Sequence, residues 1–420
     1  MLDLRDRFAV PAPPAVELRA FTHGLMPRTV PAMMRAFCDD WAARGVDAWN
    51  RVPDRWDLGH DVGWWSLPEA LGDRWLAPLL GAEPGTCILQ PNVHWTVQCL
   101  LSCDGPFAGG AGGAQTAGAG RDEVVVTDAE FPSVRHSVQR WAGLRGLRPV
   151  EVAAGPDGFV DVDAVCDAVT DRTALLVVSH VGFATGEVLT DDALRRIAEA
   201  ARRHGALFAV DGYHATANVV VDAAALGADV YFGGLLKEAC GSSGNAYLWV
   251  RPGLDLRPRL AGWFADADPF AFADGPEDHP TVRRRFLAGT TAVASMYHAV
   301  EGLRILLETG VAAVRADTLA KGARALDRAD ALGLAVRSPR EEARRGAMVV
   351  VEVDGADRLA AWLKTQGVYV DSRRGEVLRL APFVWNTAAD VDRLFDALGE
   401  ALATGAHLTH EPAAEGGPVT

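Results

Sequence analysis

The chain has 420 residues, 49% of them apolar, enough to bury more than one core and to divide into about two or three domains, which excludes a fibrous, disordered or disulfide-stapled miniature protein. Its 55 acidic residues against 41 basic ones, a formal charge of -14, disfavour nucleic acid or an anionic membrane surface as the main partner and favour a small molecule.

Residues 1–60 hold proline, tryptophan and arginine without a sustained period and read as an arm on a larger body. The opening MLDLRDRF places charges where a signal peptide would be apolar, and no stretch approaches the roughly 20 apolar residues that cross a bilayer. No membrane partner and a cytoplasmic location are therefore expected. Short β-branched runs follow at 86–90, 123–127, 149–153, 174–179, 207–210, 230–232 and 246–250, separated by helical patterns such as 133–144 and 191–204. This alternation predicts a mainly parallel sheet with crossover helices, an α/β domain over 61–291. The Gly/Ala-rich stretch 105–120 matches neither phosphate-loop spacing and reads as a flexible surface loop. After Arg285 come helical stretches over 292–332, a strand at 348–353, a helix at 357–366, strands near Tyr369 and Val377, and a helix at 388–402. They predict a small α+β domain over 292–406 and leave a polar tail, 407–420, that cannot pack.

The six cysteines form no CxxC pair and no Cys/His cluster with zinc spacing, so neither a metal site nor a disulfide framework is legible. Lysine carries more information, because only three of the 41 basic residues are lysines: Lys237, Lys321 and Lys364. Lys321 and Lys364 lie in amphipathic helical patterns, where a charged side chain belongs on the solvated face. Lys237 instead follows the apolar run DVYFGGLL and precedes the turn-forming ACGSSG. An ammonium at such a strand mouth is desolvated, its neutral form is favoured, and the amine becomes a nucleophile towards an aldehyde. Twenty-six residues earlier, the strand pattern in ALFAVDGYHATAN carries Asp211 to the same carboxyl-end crevice, where open α/β sheets bind ligands. A helix N-cap is the plainer reading of Asp211 taken alone. A carboxylate and a lysine at this edge match pyridoxal phosphate, whose aldehyde takes the lysine as a Schiff base and whose ring nitrogen stays protonated against the carboxylate.

The ordered stretches TVQCLL from Thr96, AEFPS from Ala129, SHVGFATGE from Ser179, DGYHATAN from Asp211, Lys237 with its flanking strand, AGWF from Ala261, GTT from Gly289 and VLRLAP from Val377 resemble the kynureninase-like branch of the class V aminotransferases. The resemblance covers about residues 91–402. It implies fold type I with pyridoxal 5′-phosphate as cofactor, and a homodimer whose sites are shared between subunits. It also implies roles. Thr96, with the backbone of Trp95, resembles the phosphate anchor near a helix start. Phe131 resembles the aromatic that covers the ring. Ser179 and His214 resemble contacts to the cofactor and its substrate adduct, and Trp263 and Thr290 resemble phosphate-side contacts supplied across the subunit interface. Arg379 resembles the arginine that forks onto the substrate's α-carboxylate.

Two departures bear on the reaction. Kynureninases carry a tyrosine before the Schiff-base lysine, where this chain has Leu236, and an aspartate after the FPS triplet, where it has Val134. Trp64 and Trp65 are candidates for an aromatic substrate wall, or for packing of the arm. The leading expectation is a lyase that removes a Cβ-substituent of an α-amino acid through a C–S or C–C bond, with Lys237 moving the Cα proton. Alternatives are an aminotransferase, kynurenine hydrolysis, a decarboxylating oxidative deaminase and, last, a non-catalytic member. A cysteine desulfurase fits less well, because 338–345 contains no cysteine, and a nicotinamide enzyme lacks its GxGxxG.

Overall fold

The computed structural model describes residues 2–12, 15–107 and 120–410. Its strands are β1 (Val16–Glu17), β2 (Cys87–Gln90), β3 (Glu123–Thr127), β4 (Arg148–Val152), β5 (Thr173–Ser179), β6 (Leu207–Asp211), β7 (Val230–Gly234), β8 (Ala246–Val250), β9 (Val349–Glu352), β10 (Val368–Tyr369), β11 (Asp371–Arg373) and β12 (Val377–Leu380). Seven of them form one sheet in the order β2-β8-β7-β6-β5-β3-β4, in which β8 alone runs against the rest. The expected mainly parallel α/β sheet is present.

The central strands are buried on both faces, as parallel sheets require. Leu176, Val178, Phe208 and Val210 point into one core, while Leu175, Val177, Leu207 and Ala209 point into another. Helices Pro132–Arg145 and Asp191–His204 cross over between strands. The second of these takes its start from Thr190, whose side chain accepts from Ala193 N–H, and its end from Gly205 in the left-handed region.

A third core joins Val349 and Val351 of β9 and Leu378 and Leu380 of β12 to the helices Ala356–Thr365 and Ala388–Thr404. The arm contributes to it: β1 pairs in parallel with β10, and Val16 and Leu18 are buried there. The helical stretch expected over 292–332 divides into Val293–Ala299, Glu301–Thr309 and Val311–Ala331, with the last break at Gly310, whose φ is +89°.

Three expectations are corrected. Lys321 is not on a solvated face: it is fully buried, because the arm and the Phe383 segment cover that side of its helix. The tail does not begin at 407, since Ala406–Thr409 forms a 3-10 turn that buries His407 against Ala401 O; residues 411–420 lie outside the described residues. Most of the Gly/Ala-rich stretch, 108–119, also lies outside them, but Gly105–Phe107 forms a turn with Phe107 buried beneath the Arg145 guanidinium. Among the described residues, no helix is long and apolar enough to cross a membrane.

Candidate active site

The segments that follow β2, β3, β5, β6 and β7 converge at the carboxyl edge of the sheet around a cavity of 290 Å³. Ser179 and Asp211 close two neighbouring strands in register, so their side chains stand side by side. Lys237 enters from the turn after β7. Phe131, at the N-cap of its helix, is 45% exposed, which fits a cavity wall and not a core phenylalanine.

Lys237 Nζ lies 2.6 Å from His214 Nε2. Burial lowers the lysine below its usual range, with the charges of Glu238 and Asp211 opposing and those of Arg379 and Arg373 assisting. His214 is held neutral, well below the usual histidine range, by burial and then by the Lys237 and Arg379 charges. Asp211 accepts from Tyr213 N–H at 2.8 Å and is pushed up to about 6 by burial, against that bond and the Lys237 charge.

Two aromatic faces bracket the amine. Lys237 Nζ is 5.6 Å from the Phe131 ring centroid and 4.7 Å from that of Tyr213. Tyr213 fits because β7 ends in glycine: a Cβ on Gly234 would overlap its ring. Sequence reasoning passed over Tyr213, although it stands in DGYHATAN between two residues that were singled out. It also passed over Glu130, fully buried beneath Ser179, and Glu238, buried beside Lys237 with Oε2 unpartnered. The available signals were the apolar neighbours Ala129 and Phe131 for Glu130, and adjacency to Lys237 for Glu238.

Thr96 is buried with Oγ1 unpartnered. It lies in the first turn of helix Val93–Ser102, where the Asn92 side chain already accepts the Trp95 N–H at 2.8 Å. The expected Trp95 backbone donor is therefore engaged, and the N–H groups of Val93 and His94 are the ones without an intrahelical acceptor.

Arg379, on β12, donates from Nη1 to Phe183 O at 3.0 Å and from Nε and Nη2 to Asp371, which leaves two of its five N–H donors. Phe183 lines the cavity, so the guanidinium is one hydrogen bond from its lining. The remaining candidates lie elsewhere. Trp64 is corrected as a substrate wall: it is buried among Phe37 and Trp49, and its Nε1 donates to Tyr297 Oη at 2.9 Å. Trp65 packs on Trp263, Phe264 and Phe270 in a separate aromatic cluster. Thr290 is exposed and lines a smaller cavity with Gln90 and Trp95. Leu236 and Val134, the two departures, both line the lysine cavity.

The profile described as "Aminotransferase class-V" matches residues 111–393. The chain belongs to the class V aminotransferase family. The Bacillus subtilis (strain 168) protein named uncharacterized aminotransferase YcbU is 30% identical over 322 residues, 76% of this chain and 80% of that one. The kynureninase of Geobacillus thermodenitrificans (strain NG80-2) is 24% identical over 399 residues, 91% of this chain and 87% of that enzyme. Among solved structures, a C-DES variant with glycine covalently linked to its PLP cofactor has a TM-score of 0.77 at 17% identity, covering 94% of this chain and 99% of that chain. The cofactor of this class V enzyme is pyridoxal 5′-phosphate (PLP). The residues present fit the group: the aromatic side chains of Phe131 and Tyr213 line the cavity beside the Lys237 amine, and Thr96 Oγ1 is an orphaned buried donor beside free helix amides that attract an anion.

Proposed function

We propose that the protein is a PLP-dependent lyase acting on an α-amino acid, one that expels a Cβ-substituent through a C–S or C–C bond, with a cysteine conjugate as the preferred class. The observation that carries this reading is the lining of the lysine cavity. A desolvated amine stands beside a neutral histidine there, while apolar Leu236 and Val134 occupy the positions where polar groups would assist a poorer leaving group.

Phosphate would be held by Thr96 and the first amides of helix Val93–Ser102, the ring by Phe131 and Tyr213, its nitrogen by Asp211 and its outer edge by Ser179. PLP, when bound, supplies the electron sink that acidifies the Cα–H of the amino acid. Arg379 binds the α-carboxylate with its two free N–H donors, held in place by Asp371 and Phe183 O. Lys237 Nζ takes the Cα proton, and His214, neutral and 2.6 Å away, keeps Nζ oriented. A departing thiolate needs little help from an acid, which suits the apolar side chains at Leu236 and Val134.

Trp263, Phe270 and Phe272 are 43%, 61% and 75% exposed in one aromatic cluster, and this supports a homodimer in which Trp263 and Thr290 serve the neighbouring site. Among solved relatives, C-DES is described as a cystine C–S lyase in complex with cysteine persulfide, which supports the C–S reading.

The test is product analysis with a panel of amino acids and cysteine conjugates. Pyruvate, ammonia and free thiol are expected to form faster than anthranilate from kynurenine or a new amino acid from a keto acid. Rapid anthranilate release would establish a kynureninase. Stoichiometric, keto-acid-reversed loss of the carbonyl form of the cofactor would establish an aminotransferase, and dioxygen uptake with carbon dioxide release an oxidative deaminase.

A further inference from the structure

Glu130 follows β3 in the turn that leads to helix Pro132–Arg145, and it is fully buried. Ser179 N–H donates to its Oε1, Ser179 Oγ lies 2.7 Å from Oε2, and Thr127 Oγ1 lies 3.5 Å from Oε1. Ser179 lines the lysine cavity and Glu130 does not, so the acid reaches that cavity through Ser179. The groups that face it are Thr127 on β3, Ser179 on β5 and the carboxyl of Asp211 on β6, with Lys237 and His214 beyond Asp211. No ion pair holds Glu130 among the described residues.

Proton count decides what this contact does. An ionised carboxylate can only accept, so it would take both Ser179 donors, N–H and Oγ–H. A protonated Glu130 accepts the N–H at Oε1, donates its own proton from Oε2 to Ser179 Oγ, and leaves the hydroxyl proton free. Burial, and then the Asp211 charge, favour the protonated acid, holding it up to about 8 against its bonds to Ser179 and Thr127.

We propose that Glu130 is a positioning residue that keeps its proton, donates it to Ser179 Oγ and so turns the Ser179 hydroxyl proton towards the cofactor in the Lys237 cavity. The same proton leaves Asp211 as the ionised carboxylate of the two. This rests on the reading above, in which the cavity holds PLP and Ser179 touches it.

The test uses Glu130→Gln, whose carboxamide copies the protonated acid: Oε1 accepts from Ser179 N–H and Nε2 donates to Ser179 Oγ. PLP affinity of the apoprotein is measured by tryptophan fluorescence at pH 7 and pH 9. Thermal midpoints of the apoproteins are measured from pH 5 to pH 9. The wild type is expected to lose about 10-fold more affinity between the two pH values than Glu130→Gln, which at pH 7 binds within about threefold of wild type.

A group with a raised folded-state value stabilises fully below its unfolded value and loses that contribution as pH rises to the folded one. The wild-type midpoint is therefore expected to fall relative to Glu130→Gln up to about pH 8 and then to run parallel with it. Lys237 and Glu238 titrate in both proteins and cancel in the comparison. Glu130→Leu is expected to cost about 10-fold in PLP affinity at pH 7, and less than threefold in a Ser179→Ala background, because the two side chains act as one unit.

Matching pH profiles for wild type and Glu130→Gln would overturn the proton assignment. Additive losses for Glu130→Leu and Ser179→Ala would overturn the route through Ser179. Should Glu130→Leu fail to fold, the Glu130→Gln comparison decides alone. A wild-type apoprotein that takes up no PLP would defeat the reading of the cavity itself, a result distinct from either of these.

Discussion

Two lysines are withdrawn from bulk water in this chain, and of the two it is Lys237 that lines the cavity at the sheet edge. Lys321, in the helix Val311–Ala331, is fully buried, yet its ammonium is held by Asp317 Oδ2 at 2.5 Å and Phe383 O at 2.8 Å. Lys237, at the mouth of the parallel sheet, has a histidine nitrogen at 2.6 Å and no ion-pair partner among the described residues. Burial lowers both below the usual lysine range. The difference lies in what remains free: a saturated ammonium is structural, whereas a desolvated amine facing a cavity can bind an aldehyde and move a proton.

The largest break in this comparison is expected from Lys237→Ala, which removes the amine and lowers turnover by roughly 10²–10⁴-fold or more. Borohydride reduction of the wild-type holoenzyme, followed by peptide mapping, is expected to place the pyridoxyl label on the Lys237 peptide. Label on Lys321 or Lys364 would dissolve the distinction.

Lys321→Met tests the other side. Leaving Asp317 buried without its cation, with only the Leu2 N–H still donating to Oδ1, is expected to cost about 3–5 kcal/mol in urea unfolding, and a further Asp317→Leu change is expected to recover most of it. A neutral Lys321→Met would mean that the pair contributes little.

Arg379→Ala comes next, at about 2–5 kcal/mol, or on the order of 30-fold or more in substrate affinity, with the cofactor spectrum preserved. Unchanged affinity would place the α-carboxylate elsewhere. The smallest effect is one of reactivity in the apoprotein. Reductive methylation followed by mass spectrometry is expected to modify Lys237 at a pH below the usual lysine range, with reactivity rising as pH increases and the ammonium loses its proton, while Lys321 stays unmodified.

Much of the frame is written in local pattern. β-branched runs alternating with helical periods gave the seven-stranded sheet, and the polar residue that ends an apolar run gave Asp211 and Lys237 at its carboxyl edge. Helix boundaries were legible where capping residues mark them, as at Thr190 and Gly205. The stretch 292–332 was harder, because three helices in near succession share one amphipathic pattern, and only Gly310 announces a break.

Side-chain partners across the fold were not legible. Trp64 in HDVGWWSLPEAL could equally face substrate or core, and its bond to Tyr297, 233 residues away, settles it in the core. Lys321 looked solvated because a helical period separates the faces of an isolated helix without saying which of them another segment will cover.

What the sequence by itself determined is therefore the architecture, the family and the two groups, Lys237 and Asp211, whose positions follow from strand ends. Tertiary structure decided how those groups are surrounded: Tyr213 opposite Phe131, His214 against the amine, and Glu130 beneath Ser179 across 49 residues of chain. Periodicity fixes which side of an element a residue faces. The order β6-β5-β3 fixes which residues from distant segments meet there, and burial at that meeting point sets their protons.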